Sequence, residues 1–288
     1  WRTIDEPKFG ERTAARLRQS VGRGFAGLKI SKALGLGVPD GDRYLAVDDP
    51  RLDPIWDEAG RLGVVVGIHT ADPKAFFEKP GPQNERHAEL SYAPSWSFYG
   101  DTFPSRESLL GARDRVVAKH RGTTFMLLHF ANNPEDVDYV DRLLDENPNV
   151  VVDIAARIGE IGRHDATRVR EIFEKHQDRI LFATDIQMSV LQKEDKAYLR
   201  ITLGSVSEEP PNLDDIQPFY DAHFRWMETS GDPIAHPVPI QGDWKVNPIG
   251  LSEEVLEKIY YKNAERLIFA PWLARTAASR VVAKATEL

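Results

Sequence analysis

Three short hydrophobic runs in this chain each stop at a side chain that can bind a metal or move a proton, and this repetition limits the possible folds more than any other feature. Val64-Val-Val-Gly-Ile-His69-Thr70 stops at His69, Thr124-Phe-Met-Leu-Leu-His129-Phe130 at His129, and Arg179-Ile-Leu-Phe-Ala-Thr-Asp185-Ile-Gln187 at Asp185. Short continuous apolar runs of this kind read as strands buried on both faces. If the strands are parallel, the three polar ends meet on one rim.

Helical patterns separate the runs. Glu11 to Val21 sets Ala, Leu and Val among Arg residues at helical spacing, and Phe25 to Ile30 follows as a short strand. Pro50 to Leu62 reads as a helix closed by Gly63 and leads into the His69 strand. Ser105 caps a helix that ends near His120 and leads into the His129 strand. Pro134 to Leu144 is a helix before the strand Val150 to Ile154, and Thr167 to His176 leads into the Asp185 strand. A last amphipathic helix spans Ser252 to Ile268. The insertion from Ala71 to Pro104, rich in Pro and aromatic residues, is too long for a plain connection. It is expected to be a lid over the His69 end, offering Trp96, Phe98 and Tyr99. Gln192 to Val246 is expected to be irregular.

Alternation of this kind predicts an α/β fold of parallel βα units. Every candidate group then sits at the C-terminal end of its strand, the functional face of a (β/α)8 TIM-barrel. An open doubly wound sheet is the alternative, but the only near match to its phosphate loop, Gly22-Arg-Gly24, precedes a strand rather than following one. Five strands are visible in the sequence, fewer than the eight of a closed barrel.

Composition narrows the partner. A formal net charge of -8 argues against nucleic acid and anionic membranes, both of which favour a basic face. No apolar run approaches the roughly 20 residues of a membrane span. A small-molecule substrate is expected, and self-association into a homo-oligomer stays open. With no cysteine among the 288 residues, a metal would be held by His and carboxylate, and a reducing, cytoplasmic setting suits the chain.

The segments Gly27-Leu-Lys-Ile30, Gly67-Ile-His69, Leu128-His129, Val152-Asp153, Leu181-Phe-Ala-Thr-Asp185 and Asn263-Ala-Glu-Arg-Leu267 occur in an order and spacing that resembles the metal-dependent amidohydrolase superfamily. The likeness is to its amidohydrolase-related branch, which includes aminocarboxymuconate semialdehyde decarboxylase. The resemblance implies that the strands ending at Lys29, His69, His129, Asp153 and Asp185 are barrel strands four to eight of a single domain. The family's His-x-His of strand one is nowhere in this sequence, so the chain is expected to be a fragment lacking the first three strands. It should then form an open parallel sheet in sequence order, with the Lys29 strand at one edge and the Asp185 strand near the other.

The resemblance implies His69 and Asp185 as ligands of a divalent ion, most readily Zn(II), with Asp185 also accepting a proton from the attacking water. His129 is expected to act as acid, base or electrophile. Asp153 either acts at the rim or positions the loop after it. In that loop Arg157 suits a substrate carboxylate, with Glu160 as a partner. Lys29 reads as a substrate contact, or in a rival reading as the nucleophile of a Schiff-base aldolase. Trp96, Phe98, Tyr99, Trp226 and Trp244 either line a pocket or pack loops. His223 and His236 are within possible reach of the rim, His120 and His176 sit at helix ends, and His87 and His164 read as solvated. The expected activity is metal-dependent hydrolysis of a C-N or C-O bond. Decarboxylation by the same scaffold, or a metal-free binding module, are the alternatives.

Overall fold

A computed structural model describes residues 4–193 and 196–277 of the protein. Its strands are β1 (Gly27–Ile30), β2 (Pro39–Asp40), β3 (Arg43–Tyr44), β4 (Val65–Ile68), β5 (Phe125–Leu127), β6 (Val150–Asp153), β7 (Ile180–Leu181), β8 (Ile186–Lys193) and β9 (Lys196–Leu203). Five of them form one sheet in the order β1-β4-β5-β6-β7, every pair parallel. The order follows the chain, as a run of βα units requires. β1 and β7 are the edges.

The helices that return the chain between strands are those the periodicity predicts, with ends shifted by a few residues. Helix Phe9–Gly22 packs on helix Asp53–Arg61, where Glu58 binds both Arg18 and Arg61. Trp56 of the second helix lies edge-on to Phe125 of β5, with ring centroids 6.5 Å apart. Ser105 accepts the N–H of Ser108 and opens helix Arg106–Lys119. Phe173, on helix Ala166–Lys175, stacks on Phe130 and meets Trp226 edge-on, and all three are fully buried.

Three expectations need correction. The Asp185 strand is short: β7 ends at Leu181, and Asp185 stands beyond it with φ 59. The His129 strand ends at Leu127, before the histidine. The segment from Gln192 to Val246 is not irregular, because it holds β9 of an antiparallel β8–β9 hairpin and helix Ile216–Glu228. That helix buries Phe219, His223, Trp226 and Met227, a 4-3-1 spacing that marks one helical face. The prolines on either side of the segment hid this signal.

The final helix begins at Glu253 and contains π turns at Lys258–Lys262 and Glu265–Phe269. Asn263 donates to the carbonyls of Gln177 and Ile180 at the start of β7. Further along, Trp272 donates to Gly24 O, and Arg275 to Gly63 O and Ala26 O, at the start of β1 and β4. One helix therefore ties both edges of the sheet at the end where the strands begin. Among the described residues no helix is long and apolar enough to cross a membrane.

Phe173 joins the His129 segment to two helices, so Phe173→Ala should lower unfolding free energy by about 3–5 kcal/mol. Urea denaturation of the variant beside wild type would measure it. A loss under about 1 kcal/mol would show that this junction does not organise the core.

Candidate active site

Beyond Leu127 the backbone makes a turn that L-residues seldom adopt. His129, Phe130, Ala131 and Asn132 all have left-handed φ values, from 51 to 57. At about 1–2 kcal/mol per residue, such a turn needs strong local compensation. The Asp153 carboxylate supplies part of it by accepting the N–H of His129 at 2.8 Å and that of Ala155 at 3.1 Å. The Asn132 amide accepts from the Thr70 N–H and donates to Ala71 O, which ties the turn to the segment after His69. Arg106 donates to Asn132 O and Asp72 O, and Arg113 donates to Ala131 O.

The turn carries His129 under the sheet's rim, where it is buried. Its Nδ1 lies 2.9 Å from Ala155 O, and a carbonyl only accepts, so Nδ1 bears the proton and Nε2 offers its lone pair. Burial, with Arg157 and His69 adding to it, holds this imidazole well below its usual pKa. The His69 ring stands edge-on, 4.5 Å away between centroids. His69 Nε2 is 3.3 Å from Asp72 Oδ1, and Lys32 Nζ is 2.6 Å from the other oxygen of the same carboxylate. Burial pushes the Asp72 carboxyl up, but His69 and Lys32 outweigh it and leave it at about 2.

His69, His129, Asp153, Asp185, Arg157, Lys29 and Trp96 line one cavity of about 560 Å³. Burial pushes the Asp153 carboxyl up to about 6, against the two N–H groups that favour its charge. Desolvation holds the Lys29 ammonium below the usual lysine range, while Asp153 and Asp185 pull it upward. Arg157 is buried, donates to Ala156 O, and has an Nε without a partner. The lid contributes Asp72, Pro73, Phe76, Glu89 and Trp96 to the wall. Phe98 instead packs with Phe77 and Phe103 against Leu36, Ala71, Leu109 and Leu110, and Tyr99 is exposed.

Other expected residues lie elsewhere. Glu160 binds Arg86 rather than Arg157, and Arg86 also binds Glu89. His223 is buried in its helix with Nδ1 on Phe219 O, and His236 is buried against Trp244, so neither reaches the cavity. Trp226 is core. His120 bridges Asp53 and Asp57, and His164 contacts Pro134 O. Asp72, Lys32, Glu89, Asn132 and Arg200 are site residues that sequence reasoning missed. Only Asp72 had a visible signal, a carboxylate shortly after a strand-end histidine.

Among the described residues, the one group of three potential ligands with donor atoms within 4.8 Å of each other is Asp141, Asp145 and His176. It lies where helices end and strands begin. Asp141 there already receives hydrogen bonds from Arg168, Lys175 and His176, so the cluster is read as an ion-pair network between helices. His69, His129 and Asp185 share a cavity without closing to that distance. Their donor types nonetheless fit a divalent ion: the His129 Nε2 lone pair is free, and Asp185 has only a 3.5 Å contact from Gln187.

The molecule is an α/β protein whose candidate functional groups collect at the C-terminal ends of parallel strands. It belongs to the amidohydrolase family, whose model matches residues 4–269. No curated protein matches the chain significantly. Among solved structures, 2,6-dihydroxybenzoate decarboxylase from Rhizobium is 17% identical over 90% of this chain and 67% of its own, with TM-score 0.48. A dihydroxybenzoic acid decarboxylase from Polaromonas, with bound manganese and 2-nitroresorcinol, is 16% identical over 90% and 66%, with TM-score 0.46. The 4-oxalomesaconate hydratase of Rhodopseudomonas palustris is 13% identical over 98% and 67%, with TM-score 0.47. The chain spans about two thirds of the length of each. At these identities and scores the likenesses do not extend to reaction or substrate.

The Asp153 contacts can be separated from its charge. Asp153→Asn keeps an acceptor oxygen for both N–H groups and should stay within about 1 kcal/mol of wild type, whereas Asp153→Ala leaves two buried donors unpaired and should lose about 2–5 kcal/mol. Equal unfolding midpoints for the two variants would refute this clamp.

Proposed function

We propose that this chain forms the substrate side of a metal-dependent hydrolase acting on a small carboxylate-bearing molecule. The observation that carries the reading is Arg157: a buried guanidinium on a cavity wall, with an unpartnered Nε and no ion pair among the described residues. The buried Glu160 carboxylate acts on its charge without an ion-pair contact, which leaves guanidinium hydrogen-bonding capacity for an anion in the cavity. Trp96 and Phe76, 5.9 Å apart between ring centroids, give the same cavity an apolar wall from the lid.

His69 and Asp185 would hold a divalent ion at the rim, most readily Zn(II), with further donors completing its shell. Such an ion supplies Lewis acidity, bringing the acidity of water into the neutral range and polarising a carbonyl. Arg157 holds the substrate carboxylate and so orients the scissile bond toward the histidines. Asp185 takes the proton from the attacking water. His129, neutral and with Nε2 free, either accepts a hydrogen bond or moves a proton at that atom. Asp153 fixes the His129 backbone by accepting its N–H.

Decarboxylation is a second reading, favoured by the same Arg157, because a carboxylate bound beside the histidines is itself a group that such a site can act upon. The two are separated by products from a panel of carboxylate-bearing amides, esters, lactones and aromatic acids. Hydrolysis places ¹⁸O from labelled water in the product, and decarboxylation releases carbon dioxide. In active protein, Asp185→Asn should cut turnover by at least about a hundredfold, and chelation should remove activity that added zinc restores. Turnover within a few-fold of wild type in Asp185→Asn would end the assignment.

A further inference from the structure

A second cavity, of about 810 Å³, shares no wall residue with the one described above. The first turn of the lid, Lys74–Phe77, is the partition: Phe76 lines the His69 cavity, whereas Lys74 and Ala75 line the second. The remaining wall includes the start of helix Arg106–Lys119 and the segment that leaves the left-handed turn at Asn133.

Six carboxylates and three cations line this second cavity. Glu135 pairs with Arg106 at 2.7 Å, Glu85 with Arg163 at 2.9 Å, and Glu78 with Lys74 at 3.8 Å. Asp114 is taken by Arg113, which is not on the wall, and by the Tyr139 hydroxyl. Glu107 and Asp136 remain, with no cation at ion-pair distance among the described residues. Both stand at helix starts, where an acid is favoured whether or not a ligand comes. The excess of negative charge therefore sets the sign of a partner without by itself making a site.

Asn133 supplies a second, independent observation. It is 6% exposed and lines this cavity, and its side-chain amide makes no hydrogen bond among the described residues. Its neighbour Asn132, by contrast, has both ends of its amide engaged, on Thr70 N–H and Ala71 O. Buried amides are nearly always partnered, so the Asn133 amide is left to a group that enters the cavity.

We propose that this cavity binds a small organic polycation of the diamine or triamine class, with its ammonium groups on Glu107 and Asp136 and the Asn133 amide oxygen accepting an N–H. A metal ion fits less well. No three donors of this wall come within 4.8 Å of one another, and a compact ion needs its ligands close. An extended amine reaches carboxylates that stand apart, and Leu110 and Ala75 offer apolar surface to its methylene groups. The site does not depend on the chemistry assigned to His69, His129 and Arg157.

Spermidine is a suitable probe for titration calorimetry with the full 288-residue chain, with magnesium chloride at matched ionic strength as the control. Wild type should bind spermidine with an affinity that falls as salt rises, and magnesium at least about tenfold more weakly. Glu107→Gln combined with Asp136→Asn, which keeps an oxygen to cap helix Val137–Glu146, should weaken spermidine by about tenfold or more with unchanged circular dichroism. Asn133→Ala should weaken it by about threefold to tenfold. No binding by wild type, equal binding of magnesium, or unchanged spermidine affinity in either variant overturns the proposal.

Discussion

The carboxylate of Asp153 holds the rim together. It is buried, and it spends one oxygen on the N–H groups of His129 and Ala155. That contact helps to keep His129 and its neighbours in a left-handed turn whose intrinsic cost is on the order of 4–8 kcal/mol for its four residues. With it, Ala155 O is placed to accept a hydrogen bond from His129 Nδ1, which fixes the tautomer. A single acid therefore sets the backbone of one functional histidine and, through the next loop, the direction of its ring. Strain of this kind persists where surrounding contacts over-determine the geometry, and here Asn132, Arg106 and Arg113 add to the restraint.

A second consequence of the turn is communication between strands. Asn132 reaches across to Thr70 and Ala71, and Arg106 reaches Asp72 O, so the segments following β4 and β5 share hydrogen bonds rather than merely lying side by side. His69 and His129 are kept in edge-on contact by this stitching. The same Arg106 binds Glu135, and Glu135 accepts the Lys74 N–H, which anchors the start of the lid to the turn.

What the sequence made legible was whatever obeys period and order. Five parallel strands in chain sequence, and His69, His129, Asp185, Arg157, Lys29 and Trp96 on one cavity, follow from strand-end placement and from the lid's length. What it hid was geometry set by contacts remote in sequence. Asn132 looks like one more loop amide until Thr70 lies beside it. Glu160 stands three residues from Arg157, yet pairs with Arg86 because the lid inserts that guanidinium into the core. The hairpin was missed because most of it is exposed, so neither face carries a clean apolar stripe. The left-handed turn breaks a strand pattern that hydrophobicity alone continues through Phe130.

The tie formed by the last helix has a consequence for the cavity's aperture. Lys29 on β1 and Asp185 beyond β7 belong to opposite edges, and in a flat sheet four strand spacings would hold them about 19 Å apart. They line the same cavity, so the sheet's curl and the residues beyond β7 together bring the two edges toward one site. The helix from Asn263 to Arg275 is the chord of that curl, fastened to both edges on the side away from the chemistry. A helix that touches none of the cavity's walls thus joins the two edge strands whose far ends carry Lys29 and Asp185.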